Sequence, residues 1–179
     1  PTIEFVQTTR CFKHFSSRTQ VQVIRISENN FSYQNISLPD APEVKQDHAQ
    51  VEQLGLVQDF AWNLNSKNQV KAALWWQASD REIQPVMGSN TSDQQSDESF
   101  RAVLDYFRFG KGSVWNLKTG WIQDEMIFNE SRNQTQQFFV ASDWDFSKWQ
   151  RWQLKAGGRA TMVKGDLSSY SATDQRLEF

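Results

Sequence analysis

The chain has 179 residues and a formal net charge of −2, with 38% apolar and 22% charged residues. These values predict a single domain over residues 1–179, large enough to bury about 70% of its unfolded surface without a metal or disulfide staple. The charge excludes a general nucleic-acid binder, and no apolar run approaches the length of a membrane-spanning helix, so neither nucleic acid nor a membrane is an expected partner.

The first predicted element is a short amphipathic helix at the N-terminus, over residues 2–15. Thr2 is a candidate cap, and the apolar residues recur at near-helical spacing, namely Ile3, Val6, Cys11 and Phe15. Cys11 is the single cysteine, which excludes an internal disulfide and fits a reducing compartment.

The next elements predicted are a β-hairpin and a second helix. Residues 18–27 alternate apolar and polar side chains as a strand does, Asn29 and Asn30 form a turn, and residues 31–38 form the second strand. A helix then begins at the segment PDAPE, where Pro42 suits the first helical position, and it ends at Gly55.

From Leu56 onward, short strands follow one another, interrupted by a polar loop over residues 89–99. The aromatic-rich stretch at residues 136–155 reads as two strands separated by an Asp-rich turn at residues 142–145. Nine or ten short strands without βαβ alternation favour an antiparallel up-and-down barrel or a sandwich. A barrel of this size encloses room for one small ligand.

The sequence lacks the motifs of the common catalytic and metal sites, including nucleophile elbows, phosphate loops and clusters of cysteine and histidine. Ligand binding is therefore the function that remains. Trp149, Arg151 and Gln153 share one face of a predicted strand, and a guanidinium beside an indole suits a flat ligand that carries carboxylates. The alternative is a solvated surface strand with extended cations.

Several short motifs occur in the order found in one family. They are Ser17-Arg18-Thr19, the helix start LPDAPEV at residues 38–44, FAW at residues 60–62, FFVASDWDFSKWQRWQ at residues 138–153 and YSATDQR at residues 170–176. The chain resembles the S-type phycobiliprotein lyases, which are lipocalin-like, or calycin, β-barrels. The resemblance covers the chain from end to end, with its closest agreement at Ser-Arg-Thr and at DAPEV.

This resemblance implies a fold, an activity and a set of site residues. The fold is mainly β, an antiparallel up-and-down barrel of about nine or ten strands with an N-terminal helix and one helix after the second strand. The activity is that of a phycobilin lyase, an enzyme that binds a linear tetrapyrrole and guides its attachment to a cysteine thiol of a phycobiliprotein. Arg18 and Arg151 would bind the propionates, Asp174 and Glu130 would accept pyrrole hydrogen bonds or protonate the bilin, and the remaining ligand contacts are Phe60, Trp62, Trp149 and Gln153.

The implied partners are phycocyanobilin or phycoerythrobilin and an apo-phycobiliprotein subunit, in the cytoplasm of a cyanobacterium or in the plastid stroma, with no cofactor of the protein's own. An open barrel edge would also allow a homodimer. Two alternatives stay open: a non-catalytic lipocalin-like carrier of another pigment or lipophilic ligand, and an interaction protein that docks a partner on its Trp-rich strand.

Overall fold

One antiparallel sheet dominates the structure, a computed structural model that describes residues 2–26, 32–34, 36, 39–40, 42–45, 50–83, 92–149, 152–168 and 171–178. Nine strands follow the order β1-β2-β5-β6-β7-β8-β9-β10-β11, so each strand lies beside its neighbour in the chain except where β3 and β4 intervene. The strands are β1 (Thr2–Phe12), β2 (Phe15–Ile26), β5 (Val51–Asn65), β6 (Asn68–Ile83), β7 (Asp93–Gly110), β8 (Ser113–Phe128), β9 (Ser131–Trp149), β10 (Trp152–Asp166) and β11 (Ser171–Glu178). A separate two-stranded sheet pairs β3 (Ser32–Gln34) with β4 (Glu43–Lys45).

The predicted mainly-β, antiparallel, up-and-down architecture is confirmed, whereas the predicted closure into a barrel is not. In the described residues β1 pairs only with β2, and β11 pairs only with β10. Each strand contacts only the strands beside it in its own sheet. The sheet is therefore open, and the described residues place no second layer over it.

Both predicted helices are wrong where the structure describes them. The N-terminal segment is strand β1, whose Phe5 pairs with Val21 of β2. The segment after Pro42 contains β4 and the start of β5, where Leu54 pairs with Val23, while residues 46–49 lie outside the described part. In both segments the described strand residues form cross-strand backbone pairs, β1 with β2, β4 with β3, and β5 with β2 and β6, and this pairing outweighs the local helical spacing. No helix among the described residues is long and apolar enough to cross a membrane.

One predicted strand pairing and two predicted breaks are also wrong. Strand β2 forms its hairpin with β1 through the Lys13–His14 turn, and β3 pairs with β4, while the predicted turn at Asn29 and Asn30 lies outside the described residues. Residues 93–99 of the predicted polar loop belong to β7, residues 89–91 lie outside the described part, and the predicted Asp-rich turn at residues 142–145 lies within β9. Polar residues occupy these strands because the ladder is held by backbone hydrogen bonds, which need no apolar side chain.

The best-packed point of the sheet lies on β8 and β9, toward the β11 edge. Phe139 is the one buried apolar side chain in the described part of the chain, at 7% exposure. Its ring lies across Gly120, the residue directly opposite on β8, and the Arg159 guanidinium lies 4.4 Å from the ring centroid. A glycine covered by a cross-strand aromatic ring is a recognised way to stabilise a sheet position that has no side chain.

Candidate functional site

The register of the nine strands gives the sheet one face that is richer in apolar side chains and one that is richer in polar side chains. Polar residues also point to the first face, namely Thr19, Gln58, Gln123, Gln136 and Lys164. Side chains directly opposite on adjacent strands point to the same side of a sheet. On β6, for example, Leu74 and Trp76 share a face with Leu56 of β5 and with Phe100 of β7. The apolar face, as we call it, is formed across the sheet by Phe5, Val21, Val23, Leu54, Leu56, Phe60, Trp62, Val70, Ala72, Leu74, Trp76, Ala78, Phe100, Ala102, Leu104, Tyr106, Trp115, Leu117, Trp121, Phe138, Val140, Trp144, Phe146, Leu154, Ala156, Ala160, Met162 and Leu177.

The apolar face is uncovered across its width. Trp62 is 53% exposed, Leu104 is 46% exposed and Phe138 is 47% exposed, although they lie on three separate strands. Isolated apolar side chains at a protein surface are ordinary, but a continuous face of them marks a surface that contacts something apolar.

Charged and polar side chains bound the apolar face at both ends. On β7 it runs from Phe100 to Tyr106, with Glu98 before it and Arg108 after it. On β6 it spans the nine residues from Val70 to Ala78, a length of roughly 26 Å along the strand. The apolar side chains therefore form a band of limited height.

Aromatic side chains lie at both margins of this band and also within it. Trp62, Tyr106, Trp115 and Trp144 lie toward the end with the Lys13, Lys67 and Lys111 turns, and Trp76 and Phe100 lie toward the other end. Trp121 and Phe138 lie in the middle row, level with Leu74. The neighbouring row toward the turns contains Phe60 on β5 and is aliphatic or small on the next four strands, at Ala72, Leu104, Thr119 and Val140.

Two of the marginal aromatic residues direct their polar atoms away from the band. Tyr106 donates its hydroxyl hydrogen to the Asn68 side chain, with 2.7 Å between the oxygens. The Trp76 indole nitrogen donates to Glu98 at 2.8 Å. Asn68 and Glu98 each lie on the same face as the aromatic residue, one row farther toward opposite ends of the sheet. These side chains thus join an apolar environment to a polar one at both margins.

The opposite face of the sheet, which we call the polar face, carries charged side chains at the same level along the strands as the apolar band. Lys118 lies 3.4 Å from Asp105, directly across the ladder between β7 and β8. Arg101 lies over the Trp75 ring at 4.7 Å from its centroid. A shallow cleft on this side is lined by residues that include Arg18, Asp59, Lys71 and Asp105. These groups are compatible with contact to water.

The two ends of the sheet differ in charge. Three described turns at one end each carry a lysine and no acid, at Lys13–His14, Ser66–Lys67 and Lys111–Gly112. We call this the turn end. At the other end, the apolar face is bordered by acids on four adjacent strands, namely Glu52, Asp80, Glu98 and Glu125.

An open cleft of about 410 Å³ lies at the turn end of the apolar face, lined by Arg108, Gly110, Ser113, Trp115, Ser142 and Trp144. Arg108 is directly opposite Trp115, which is directly opposite Trp144. The Trp115 indole donates to the Ser142 hydroxyl at 2.8 Å, which fixes the ring in the cleft wall. The Arg108 guanidinium is exposed, and it makes no ion pair with any described residue.

The ligand-binding residues predicted from the sequence lie in three places. Phe60 and Trp62 point to the apolar face, whereas Arg18 lies on the polar face, where it donates to Gln20 at 3.2 Å. Gln153 donates to both carboxylate oxygens of Asp145, at 2.9 and 3.0 Å. The backbone of Trp149 pairs with Trp152 at the end of β9, and Arg151 lies outside the described residues.

The two predicted carboxylates are far apart in the fold. Asp174 lies on the edge strand β11, where Arg176 Nε donates to its Oδ2 at 2.8 Å. This hydrogen bond, with the attraction of the same guanidinium, lowers the pKa of Asp174. Glu130 is exposed in the Asn129–Glu130 turn between β8 and β9. The structure brings together neither these two acids nor either of them with Phe60 and Trp62.

Arg108 is not among the residues predicted from the sequence, because the pattern along one strand gives no register to its neighbours. Alternation alone separates Phe100, Ala102, Leu104 and Tyr106 from Arg101, Val103 and Asp105, but only the pairing with β8 places Arg108 beside Trp115 and Trp144.

Within the described residues, no group of three or more His, Cys, Asp or Glu side chains is arranged to hold a metal ion. No protein-family model matches the chain, and no curated protein matches it with significance.

Proposed function

We propose that this sheet forms a lipid-facing wall, in which the apolar face contacts the hydrocarbon of a bilayer and the polar face contacts water. The observation that carries this proposal is the uncovered apolar band, bordered by aromatic side chains and then by charges. In this role the sheet would cross the lipid layer, and its polar face would stay in contact with water and polar solutes.

The dimensions of the band support a bilayer as its partner. A strand crosses the hydrocarbon layer in about 9–11 residues when it is tilted, and the apolar run from Val70 to Ala78 has nine. Tryptophan and tyrosine are favoured at the boundary between hydrocarbon and headgroups, because an apolar ring and a polar tip are both satisfied there. Trp76 and Tyr106 have that arrangement at opposite margins.

The energetics favour the same partner. Leaving a Leu, Phe or Met side chain in water instead of an apolar medium costs about 1.5–3 kcal/mol, and the apolar face presents Leu54, Leu104, Phe138 and Met162, each at least 40% exposed. Hydrocarbon covers all of them at once without a second protein layer. Backbone groups within the sheet are already paired along the ladder, which lipid contact requires.

The test uses two tryptophans on opposite faces of the sheet. Trp121 belongs to the apolar face, and Trp75 lies on the polar face beneath Arg101. The purified protein is mixed with neutral phosphatidylcholine vesicles, with and without bromine on the acyl chains, and tryptophan fluorescence is recorded. We expect a blue shift and quenching by the brominated chains.

Two matched variants assign the signal to a face. Trp121→Phe should remove part of the quenched emission, while Trp75→Phe should leave the quenched fraction unchanged or raise it. Emission that is identical in buffer and in vesicles, or quenching that is lost only in Trp75→Phe, would contradict the proposal.

Bilin binding and chromophore attachment to a phycobiliprotein remain a second candidate function. The observation that favours them is the position of Phe60 and Trp62, which lie two residues apart on the same face of β5 with Trp62 half-exposed. A conjugated tetrapyrrole could stack on this pair. The family resemblance supplies Arg18 as a propionate contact, although Arg18 lies on the other face.

An absorbance titration with phycocyanobilin tests this second function. A sharpened, red-shifted band that saturates near one equivalent, and that weakens in Trp62→Ala, would support it. Transfer of the bilin to an apo-phycobiliprotein, lost when the acceptor cysteine is removed, would then establish the lyase activity. A spectrum equal to that of free bilin in buffer would exclude it.

A further inference from the structure

We propose that the turn end of the apolar face binds lipid headgroups that carry a net negative charge, with Arg108 as the central contact to the headgroup phosphate. This inference rests on the proposed lipid-facing function and adds to it a lipid class and an orientation. It is carried by the Arg108 cleft together with the difference in charge between the two ends of the sheet.

The geometry of the cleft suits a phosphate at the boundary of a lipid layer. Trp115 and Trp144 form an apolar wall that continues the band, and Tyr106 packs edge-on against Trp115 with 5.8 Å between ring centroids. Arg108 is the next apolar-face residue beyond Tyr106 on β7. A headgroup phosphate lies at this same boundary, directly above the acyl chains.

The charge of Arg108 is available to a ligand. No described carboxylate forms an ion pair with its guanidinium. The Arg25 and Arg132 guanidiniums, by contrast, are paired with Glu52 and Glu125, each at 2.8 Å. A planar guanidinium with free N–H groups binds phosphate oxygens in a bidentate manner. Ser113 and Ser142 place two further hydroxyl groups on the cleft wall.

The surrounding charges favour an anion at this end alone. Lys13, Lys67 and Lys111 lie in the adjacent turns, none of which contains an acid. At the opposite border, Asp80 and Glu98 form no ion pair with a described cation and would repel a phosphate. The sheet should therefore insert with its turn end in the leaflet that is richer in anionic lipid, where each basic residue near the surface contributes about 1 kcal/mol.

The experiment compares partitioning of the full chain into pure phosphatidylcholine vesicles and into vesicles of phosphatidylcholine and phosphatidylglycerol in equal parts. The variant is Arg108→Gln. The matched control is Lys164→Gln, since Lys164 is an exposed cation on the same face at the other end. We expect the unaltered protein to prefer the anionic vesicles, and Arg108→Gln to reduce that preference about fivefold while Lys164→Gln retains it.

A second arm separates a headgroup from free phosphate. Inorganic phosphate is added at constant ionic strength, with chloride as the reference salt. If the protein still prefers the anionic vesicles in the presence of phosphate, the ligand is the lipid headgroup. If phosphate, but not chloride, abolishes this preference, the cleft is a site for free phosphate and the headgroup assignment is overturned.

The remaining outcomes distinguish this inference from the function on which it rests. Failure to enter pure phosphatidylcholine vesicles would overturn the lipid-facing function and this inference with it. Normal entry, with either no preference for phosphatidylglycerol or a preference that Arg108→Gln leaves intact, would overturn this inference alone.

Discussion

At the scale of single residues, the contact between Phe139 and Gly120 shows how the sheet is stabilised between β8 and β9. A Cβ atom placed on Gly120 would lie 2.4 Å from two carbons of the Phe139 ring and 3.3 Å from the Ala102 carbonyl oxygen. The ring therefore occupies the space that a side chain at position 120 would need. The Arg159 guanidinium over the same ring holds a third strand to this contact.

We expect Gly120→Ala to destabilise the fold by about 1–3 kcal/mol, because the added methyl group displaces Phe139 from its one buried position. Urea unfolding measures the change. Gly55→Ala is the control, since the nearest atom to its added Cβ is 3.8 Å away. Equal stability of the two variants would show that the Phe139 ring does not need the space above Gly120.

The pair formed by Asp174 and Arg176 gives a prediction for pH. The hydrogen bond from Arg176, and then its charge, lower the pKa of Asp174 in the folded state, so folding favours the carboxylate. The stabilisation is complete above the pKa of the unfolded chain, and it is lost as the pH falls through the lower folded pKa.

We therefore expect a carboxyl titration by nuclear magnetic resonance to give Asp174 a pKa below that of an unperturbed aspartate. Arg176→Gln should return it toward the ordinary value. An Asp174 that titrates at the same pH in both proteins would show that the pair does not persist in solution. The pair is fully exposed, so its effect on global stability should be small.

At the scale of the elements, alternation with period two predicted a strand at residues 18–27 correctly, since residues 18–26 lie in β2. The N-terminal helix was wrong because Ile3, Val6 and Phe15 also fit a helical spacing, and local spacing cannot reveal that β2 lies alongside to pair with β1.

The candidate site was harder to predict than the strands, for a reason of register. The apolar face forms only when all nine strands are paired in the observed register. A shift of one residue in any pairing would turn the apolar side chains of that strand toward the polar face. The sequence identified Phe60 and Trp62 individually. It contained no signal that Trp115, Trp144 and Arg108 meet across three strands.

The two sides of a single strand give the sharpest test of the apolar face. Leu74 lies in the middle of the band on β6, and Ala73 beside it points to the polar face. A charged residue at the middle of a lipid layer costs about 2–4 kcal/mol, whereas one facing water costs little.

Leu74→Arg should therefore reduce partitioning into phosphatidylcholine vesicles by at least an order of magnitude, and Ala73→Arg should leave it nearly unchanged. Vesicle flotation measures both. Because both variants add the same side chain at adjacent positions, equal losses would indicate general damage to the sheet, and equal retention would contradict lipid contact by the apolar face.

At the scale of the whole molecule, the number of strands constrains how the sheet can be completed. Nine strands of alternating direction leave the two edge strands, β1 and β11, running the same way. Pairing them with each other would require a parallel ladder in an otherwise antiparallel sheet. Antiparallel completion instead requires an odd number of additional strands.

Lipid contact makes that completion obligatory, because unpaired N–H and C=O groups cost several kcal/mol each in hydrocarbon. We therefore expect the outward-facing amides of β1 and β11 to exchange hydrogen rapidly in aqueous solution and slowly after insertion into phosphatidylcholine vesicles. Amides of the central strands β6 and β7, which are paired on both sides, should be protected in both media and serve as the internal reference. Edge amides that still exchange rapidly after insertion would mean that the edges lie open in the lipid-bound state. Because unpaired edge strands are not stable in hydrocarbon, that result would place the sheet on the surface of the bilayer and would contradict the proposal that the sheet crosses it.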